Sequence, residues 1–314
     1  MSRRKKSKQK LIGSIIAIII LAIAGIFGLN NESIDELLGI EDNANNKVIE
    51  QEITTSSLPV DGNLNIYFID VGQADSILIT NNDASMLIDA GNNEDGEDVV
   101  NFIKDKGITK LDHVVGTHPH EDHIGGLDDV INSDIEISNI YMPQIETTTK
   151  TFEDVIDAIA NKGLSITSPK EGDTFYVGNA SLKVMTDSIL DEDNLNLSSI
   201  TLLMQYGNNK FLFMGDAEEE NEVTRDWPKV DLLKVGHHGS NTSSSDKFLN
   251  ETKSTYSIIM AGEGNSYGLP TEETLNKLQN IGSTIYRTDL NGTIEVVSDG
   301  ENIEVSTSKP WNHM

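Results

Sequence analysis

Residues 117–126 read THPHEDHIGG. Three histidines and an aspartate fall within six positions, 118 to 123, directly behind the mostly apolar run LDHVVG. A lone loop histidine is ordinarily a surface or hydrogen-bonding residue, but H-x-H-x-D-H between an apolar run and IGG is not explained in that way. The apolar run reads as a strand, and IGGLDDVI after the cluster reads as a short helix. The ligand-capable side chains therefore stand at a strand-to-helix junction, where α/β proteins assemble sites. Imidazole and carboxylate together suit Zn, Mn or Fe better than Ca or Mg.

Outward from the cluster, the chain alternates strand and helix patterns. LNIYFI (64–69), SILIT (76–80) and SMLI (85–88) read as strands, and GNNEDGEDVVNFIKDKGI carries a helical stripe ending at Gly107. ISNIYM is a further strand and TFEDVIDAIANKG a helix, while TFYVGNASLKVMT and SITLLMQYGNNKFLFMGDAE are hairpins. VDLLKVGHHGS and STYSIIMAG, the helix TEETLNKLQNIG, then STIYRTD and GTIEVVS complete the pattern. Two sets of strands interspersed with helices predict an α/β fold of two stacked sheets covered by helices, a four-layer αββα sandwich.

Two more strand ends carry polar groups of the same kind: Asp216 follows KFLFMG, and His237-His238 follow LLKVG. Five of the seven histidines lie in these loops, and only His113 and His313 do not. Within HPHEDH the first two histidines can chelate one ion while the next Asp and His turn toward a second, and a carboxylate such as Asp216 can bridge them. Two ions about 3.5 Å apart form the clamp used to hydrolyse phosphoryl and acyl substrates.

The chain has 314 residues, no cysteine and a net charge of −28. Disulfides, thiolate metal sites and cysteine nucleophiles are thereby excluded. Residues 1–10, MSRRKKSKQK, hold six cations, and residues 11–29 are uncharged and apolar. Such a run can just span a bilayer as a helix with its basic flank in the cytoplasm, placing the rest outside a cell membrane crossed once. A cleaved signal segment ending near Ala22-Ile23-Ala24, and hence a secreted protein, is the alternative. Residues 30–62, rich in Asn, Glu, Ser and Thr, read as a flexible linker, and 63–308 as the functional domain. Beyond residue 29 there are 17 Lys and Arg against 51 Asp and Glu, a net charge of −34. An acidity of this size disfavours an extensive DNA-binding surface, which needs clustered cations. Nothing in the sequence sets an oligomeric state.

THPHEDHIGG resembles the signature of metallo-β-lactamase-fold hydrolases, and the resemblance runs from about Leu64 to Val305. More narrowly, the chain resembles the soluble hydrolase domain of ComEC-type DNA-uptake competence proteins. FIDVGQADSILI (68–79), LIDAG (87–91), NLSSITLL (196–203), FMGDAE (213–218), LLKVGHHGSNTSS (232–244) and GEGNSYGLPTEETLNKLQNIGSTIYRTDLNGTI (262–294) carry it in the family's order. The resemblance implies an αββα sandwich with two divalent transition ions, Zn or Mn, at one edge. His118 and His120 would serve the first ion, Asp122 and His123 the second, and Asp216 would bridge. His238 is favoured over His237 as a further ligand, which leaves His237, with Asp122, among the catalytic groups. Asp70, Asp89, Asn196, Ser199 and Ser240 would stand behind the ligands or against the substrate.

Three departures from the family pattern stand out. No histidine occurs from Ile124 to Gly236, so the first ion has fewer protein ligands than is usual in the fold. Leu269 occupies the place of a histidine in the usual Gly-His-Pro, and a hydrocarbon offers neither lone pair nor proton. Ala74 replaces a glycine in the usual Gly-Gln-Gly-Asp, a small change unless the backbone there needs positive φ. The resemblance implies hydrolysis of a small or polymeric phosphodiester by a hydroxide generated at the two ions, with nuclease-like action included. Hydrolysis of cell-wall phosphodiesters or lactones, and a non-catalytic surface binding module, are the alternatives.

Overall fold

Leu64, Ile66 and Phe68 share one apolar cluster while Tyr67 and Ile69 belong to another, so the first strand is buried on both faces. That double burial recurs at residues 77–79 and 86–88 and explains why these strands read as near-continuous apolar runs. The computed structural model describes residues 60–185, 191 and 193–310. The basic flank 1–10, the membrane-spanning or signal segment 11–29 and nearly all of the linker lie outside the described residues. Among the described residues no helix is long and apolar enough to cross a membrane.

The first half of the chain lays down β1 (Leu64–Phe68), β2 (Ile77–Asn81), β3 (Ala84–Ile88), α1 (Gly96–Asp105), β4 (Lys110–Leu111) and β5 (His113–Val115). Two short helices follow, α2 (Glu121–Ile124) and α3 (Leu127–Asn132), then β6 (Glu136–Ile137), β7 (Ile140–Tyr141), α4 (Lys150–Asn161) and β8 (Ile166–Thr167). The second half gives β9 (Thr174–Val177), β10 (Ala180–Val184), β11 (Leu202–Tyr206), β12 (Asn209–Phe213), α5 (Glu219–Glu222), β13 (Leu232–Lys234) and α6 (Asp246–Thr252). It ends with β14 (Tyr256–Ile259), α7 (Glu272–Asn280), β15 (Thr284–Arg287), α8 (Thr288–Asn291), β16 (Ile294–Ser298) and β17 (Ile303–Thr307).

One sheet has the order β17-β16-β1-β2-β3-β5-β7-β8 and the other β15-β14-β13-β12-β11-β10-β9, with β4 and β6 forming a separate pair. The last hairpin thus returns to the sheet begun by the first. Leu64, Ile66, Ile77, Ile79 and Met86 on one sheet meet Leu202, Met204, Phe211, Phe213 and Leu232 on the other. Val99, Ile103, Val130, Val155 and Ile159 of α1, α3 and α4 cover the outer face of the first sheet, against Leu78, Leu87 and Val114. Phe248, Leu249 and Leu278 of α6 and α7 cover the second, against Leu212, Leu233 and Ile259. The result is the four-layer α/β sandwich expected. Each of these side chains contributes about 1.5–3 kcal/mol by leaving water.

Both sheets are mixed. In the first, β3 pairs antiparallel with β2 and parallel with β5; in the second, β12 pairs antiparallel with β11 and parallel with β13. Loops leaving the carboxyl ends of strands at such switch points diverge, and the crevice between them is where open α/β sheets place ligands. THPHEDH leaves β5, Gly215-Asp216 leaves β12 and His237-His238 leaves β13, so all three polar clusters arrive at the same edge.

Local chemistry fixes these loops. Gly125 and Gly126 follow the histidine cluster, and a Cβ there would stand 2.3 Å from the Asn92 carbonyl carbon and 2.4 Å from the Ala90 carbonyl oxygen. The IGG triplet is therefore the condition for α2 and α3 to pack against the loop after β3. Ala74 is fully buried and lies outside the positive-φ positions, so its replacement of a glycine costs no backbone strain. The carbonyls of Asp61 and Gly62, read as the end of the linker, accept hydrogen bonds from Tyr206 and, at Asp61, also from Asn81 and Asn82.

Candidate metal centre

Asp216 sits at the middle of the cluster, buried, with its backbone N–H donating to Ser199 Oγ at 3.2 Å. Its carboxylate oxygens lie 3.2 Å from His123 Nε2, 3.6 Å from His238 Nε2, and 3.9 Å from His118 Nε2 and from His237 Nε2. Asp122 approaches from the other side, 3.3 Å from His238 Nε2. One ligand atom from each of Asp122, His123, Asp216 and His238 falls within 4.8 Å of every other.

The ring orientations of the two histidines in that set are fixed from behind. His123 Nδ1 is 2.8 Å from Asp89 Oδ2, and His238 Nδ1 is 2.9 Å from the Met260 carbonyl. With each Nδ1 proton directed at an oxygen, each Nε2 lone pair faces the common centre, the arrangement that metal-binding histidines need. Nε2 of His123, Nε2 of His238 and Oδ1 of Asp216 are buried and have no hydrogen-bond partner outside the set of four. Buried polar atoms without partners are costly, and a divalent ion satisfies all three. The donor set therefore fits a hard-to-borderline transition ion.

A second convergent set, Asp75, Asp89 and His123, is already committed to protein partners. Asp89 accepts from Thr117 N and Thr117 Oγ1 at 2.8 and 2.7 Å, and Asp75 Oδ2 pairs with Lys234 Nζ at 2.6 Å. His118 and His120 approach each other instead, Nε2 to Nδ1 at 3.0 Å.

The remaining expected residues fall at different distances from the centre. His237 is partly exposed on the cavity wall, with Nδ1 3.1 Å from Glu218 Oε1 and 2.9 Å from Thr242 Oγ1. Asn196 Nδ2 lies 3.3 Å from Glu218 Oε1 and 3.4 Å from the His237 ring, and Asn196 also bonds His120. Ser240 turns away from the ligands, its Oγ accepting from Thr242 N at 3.2 Å. Asp70 touches none of the ligands; its carboxylate is 3.3 Å from Lys309 Nζ on the cavity rim. Leu269 lines the same cavity as His237 and His238. His237 and His238 both adopt left-handed backbone, φ 47° and 51°, a strained pair whose ring centroids stand 6.3 Å apart.

Four residues outside the expected set belong to this network: Thr117, Asp75, Lys234 and Glu218. Lys234 is fully buried beneath the centre, and the other oxygen of its partner Asp75 is 3.4 Å from His238 Nδ1. A lysine inside the otherwise apolar run LLKV was the signal available for it.

Electrostatics divide the histidines. Burial pushes His118 and His120 below the ordinary histidine range, which keeps them neutral. Burial alone would lower His123 and His238 too, but the neighbouring carboxylates, Asp216 foremost, outweigh it and raise both. Asp216 and Asp122 are correspondingly lowered, against burial, by those imidazoles. These opposed shifts favour ion pairing of the two imidazoles with Asp216 and Asp122 when no ion is bound. An ion competes with protons for His123 and His238, so it binds more tightly as pH rises. The ion pairs of the metal-free fold also weaken as pH rises through the raised imidazole pKa values. Both effects have one sign: the gap in Tm between metal-loaded and chelated protein should widen from pH 6 to pH 9. A gap that narrows over that range would contradict the assignment of these two histidines.

A family model described as the metallo-beta-lactamase superfamily matches residues 69–263. ComE operon protein 3 of Bacillus subtilis is 31% identical over 249 residues, covering 72% of this chain and 32% of that protein. Recombination protein 2 of Haemophilus influenzae is 26% identical over 255 residues, covering 77% of this chain and 30% of that protein. The chain spans about a third of the length of these curated relatives. Among solved structures, a point mutant of CmlA beta-hydroxylase has a TM-score of 0.50 at 13% identity, over 88% of this chain and 59% of the other, and shares the fold.

Proposed function

The chain belongs to the metallo-β-lactamase superfamily, and from that premise we propose that it is a metal-dependent phosphodiester hydrolase whose centre is built on Asp122, His123, Asp216 and His238. The observation that carries the reading is the convergence of three partnerless buried atoms, two imidazole nitrogens and a carboxylate oxygen, on one point. His118 and His120, beside Asp216, would hold a second ion. Divalent ions bound there supply Lewis acidity and lower the pKa of water. The names of two relatives, Recombination protein 2 and Competence protein ComA, favour a phosphodiester over an acyl bond, and the acidity of this chain favours a small diester over a nucleic-acid strand.

The chain's own groups divide the remaining work. Asp89 and the Met260 carbonyl hold His123 and His238 in their ligating tautomers. Glu218 and Thr242 hold His237 Nδ1, which directs Nε2 into the cleft, where a protonated ring can hand its proton to a departing alkoxide. Outside the described residues, the uncharged run 11–29 behind six cations would anchor the domain at the outer face of a membrane.

Side-by-side assay of bis(p-nitrophenyl) phosphate, single-stranded DNA, a lactone and a β-lactam, in Mn and in Zn, tests the reading. Hydrolysis of the diester, abolished by chelation and restored by metal, is expected. Cleavage of the lactone or β-lactam alone would reject the phosphodiester and keep the hydrolase. Metal-loaded protein inert toward every class would reject catalysis.

A further inference from the structure

The cleft that opens onto the metal centre encloses about 600 Å³, and its wall carries Asp70, Glu94, Asp95, Glu121 and Asp122 with no lysine or arginine among its lining residues. The partnerless Nε2 of His238 marks its floor. At its mouth stands Tyr267, 75% exposed, the most exposed large hydrophobic side chain among the described residues. Tyr267 is not on a loose loop. Asn265 Nδ2 donates to the Gly262 and Leu269 carbonyls, Leu269 N donates back to Asn265 Oδ1, and Gly262 N donates to Gln73 Oε1.

We propose that this cleft selects phosphodiesters bearing a cationic ammonium group on one of their alcohols, and excludes polyanionic chains. The proposal rests on the phosphodiesterase reading and names its substrate class. Even with two divalent ions bound, Asp122 and Asp216 would cancel half of their charge. The rim carboxylates of Glu94, Asp95 and Glu121 outweigh what is left, while Lys309 offsets Asp70. Among the described residues, the Asp95 and Glu121 carboxylates accept from the Asn92 and Asn93 amides, neutral donors that leave their charge in place. A single phosphate can reach the floor, but further phosphates along a nucleic-acid strand would lie on carboxylates with no cation to meet them. An ammonium group beside the scissile phosphate meets those carboxylates, and the face of an exposed tyrosine is a natural seat for it.

The test is calorimetric binding of two phosphomonoesters to the Mn-loaded full chain. Phosphocholine and ethyl phosphate share the phosphate head and the two-carbon stem, and neither is a phosphodiester that the enzyme would consume. Phosphocholine is expected to bind at least about tenfold more tightly at low salt, with the gap narrowing as NaCl is added. Tyr267→Ala and the double variant Glu94→Gln/Glu121→Gln, all at exposed positions, should each shrink the gap without weakening ethyl phosphate. Equal affinities, no measurable binding of either, or tighter binding of a short oligothymidylate would overturn the proposal. Selective phosphocholine binding without turnover of any diester would leave the cleft's preference standing and remove the phosphodiesterase reading; diester turnover without the preference would do the reverse. Turnover of glycerophosphocholine in solution or of phosphatidylcholine in vesicles further supports the class and separates a soluble source from a lipid one.

Discussion

Asp216→Asn is expected to lower phosphodiester turnover by on the order of 10³-fold, about 4 kcal/mol of transition-state stabilisation. The amide keeps the volume of the side chain and removes the charge that faces His118, His123, His237 and His238 together. No other described residue touches four of the histidines, so no other carboxamide substitution should cost as much. Asp70→Asn is the internal comparison: that carboxylate reaches Lys309 and no ligand, and its loss should change turnover by less than about threefold. Steady-state rates for both variants on one small diester check the pair. Equal effects at the two positions would show that distance from Asp216 does not rank the site.

Lys234→Met should destabilise the metal-free fold by about 3–5 kcal/mol, the usual consequence of removing one partner of a buried ion pair. Lys234 is wholly buried, its Nζ 2.6 Å from Asp75 Oδ2 and 2.9 Å from the Val235 carbonyl. Methionine fills the space but leaves the Asp75 carboxylate in the interior with only imidazoles to answer it, His238 at 3.4 Å and His123 at 4.0 Å. The double variant Lys234→Met/Asp75→Leu removes both charges and should recover most of the loss. Urea unfolding of the three proteins in chelator measures this. A single variant as stable as the parent would mean that water or another cation reaches Asp75.

The fold was legible because its strands are either uniformly apolar or close into hairpins with turn residues between them. SILITNNDASMLI and TLLMQYGNNKFLF form the hairpins their patterns predict, with Ile77 opposite Ile88 and Leu202 opposite Phe213. Elements that depend on distant partners were not legible. Helix α6 is only seven residues long, and its start is fixed by the buried Glu222 carboxylate, which accepts from Ser244 N and Ser245 N at 2.7 Å each. Nothing in SNTSSSDKFLNE announces a carboxylate more than twenty positions earlier. Strand β17 is an edge strand in which Ile303 and Val305 are only partly buried, so its alternation is weak.

At the candidate site, the gathering of the loop histidines and Asp216 at one edge was legible because residue type and strand-end position agree. What supports them was not. Glu218 lies in a run of three glutamates that reads as a solvated turn, yet it is nearly buried and contacts His237, Asn194, Asn196 and Thr242. Lysines are almost never fully buried without a partner, so Lys234 reads as a strand surface position until Asp75 is brought beneath it. The sequence left open which of His237 and His238 faces the ions. Two consecutive left-handed residues separate their rings, and that backbone choice has no sequence signature, since neither residue is glycine.

The central claim is that these loops form a metal centre, and the metal content of the protein tests it most directly. Elemental analysis of protein never exposed to chelator, and again after dialysis against Mn or Zn, should return close to two transition ions per chain, falling clearly in Asp216→Asn. A value near zero in both preparations of the unsubstituted protein would contradict the account.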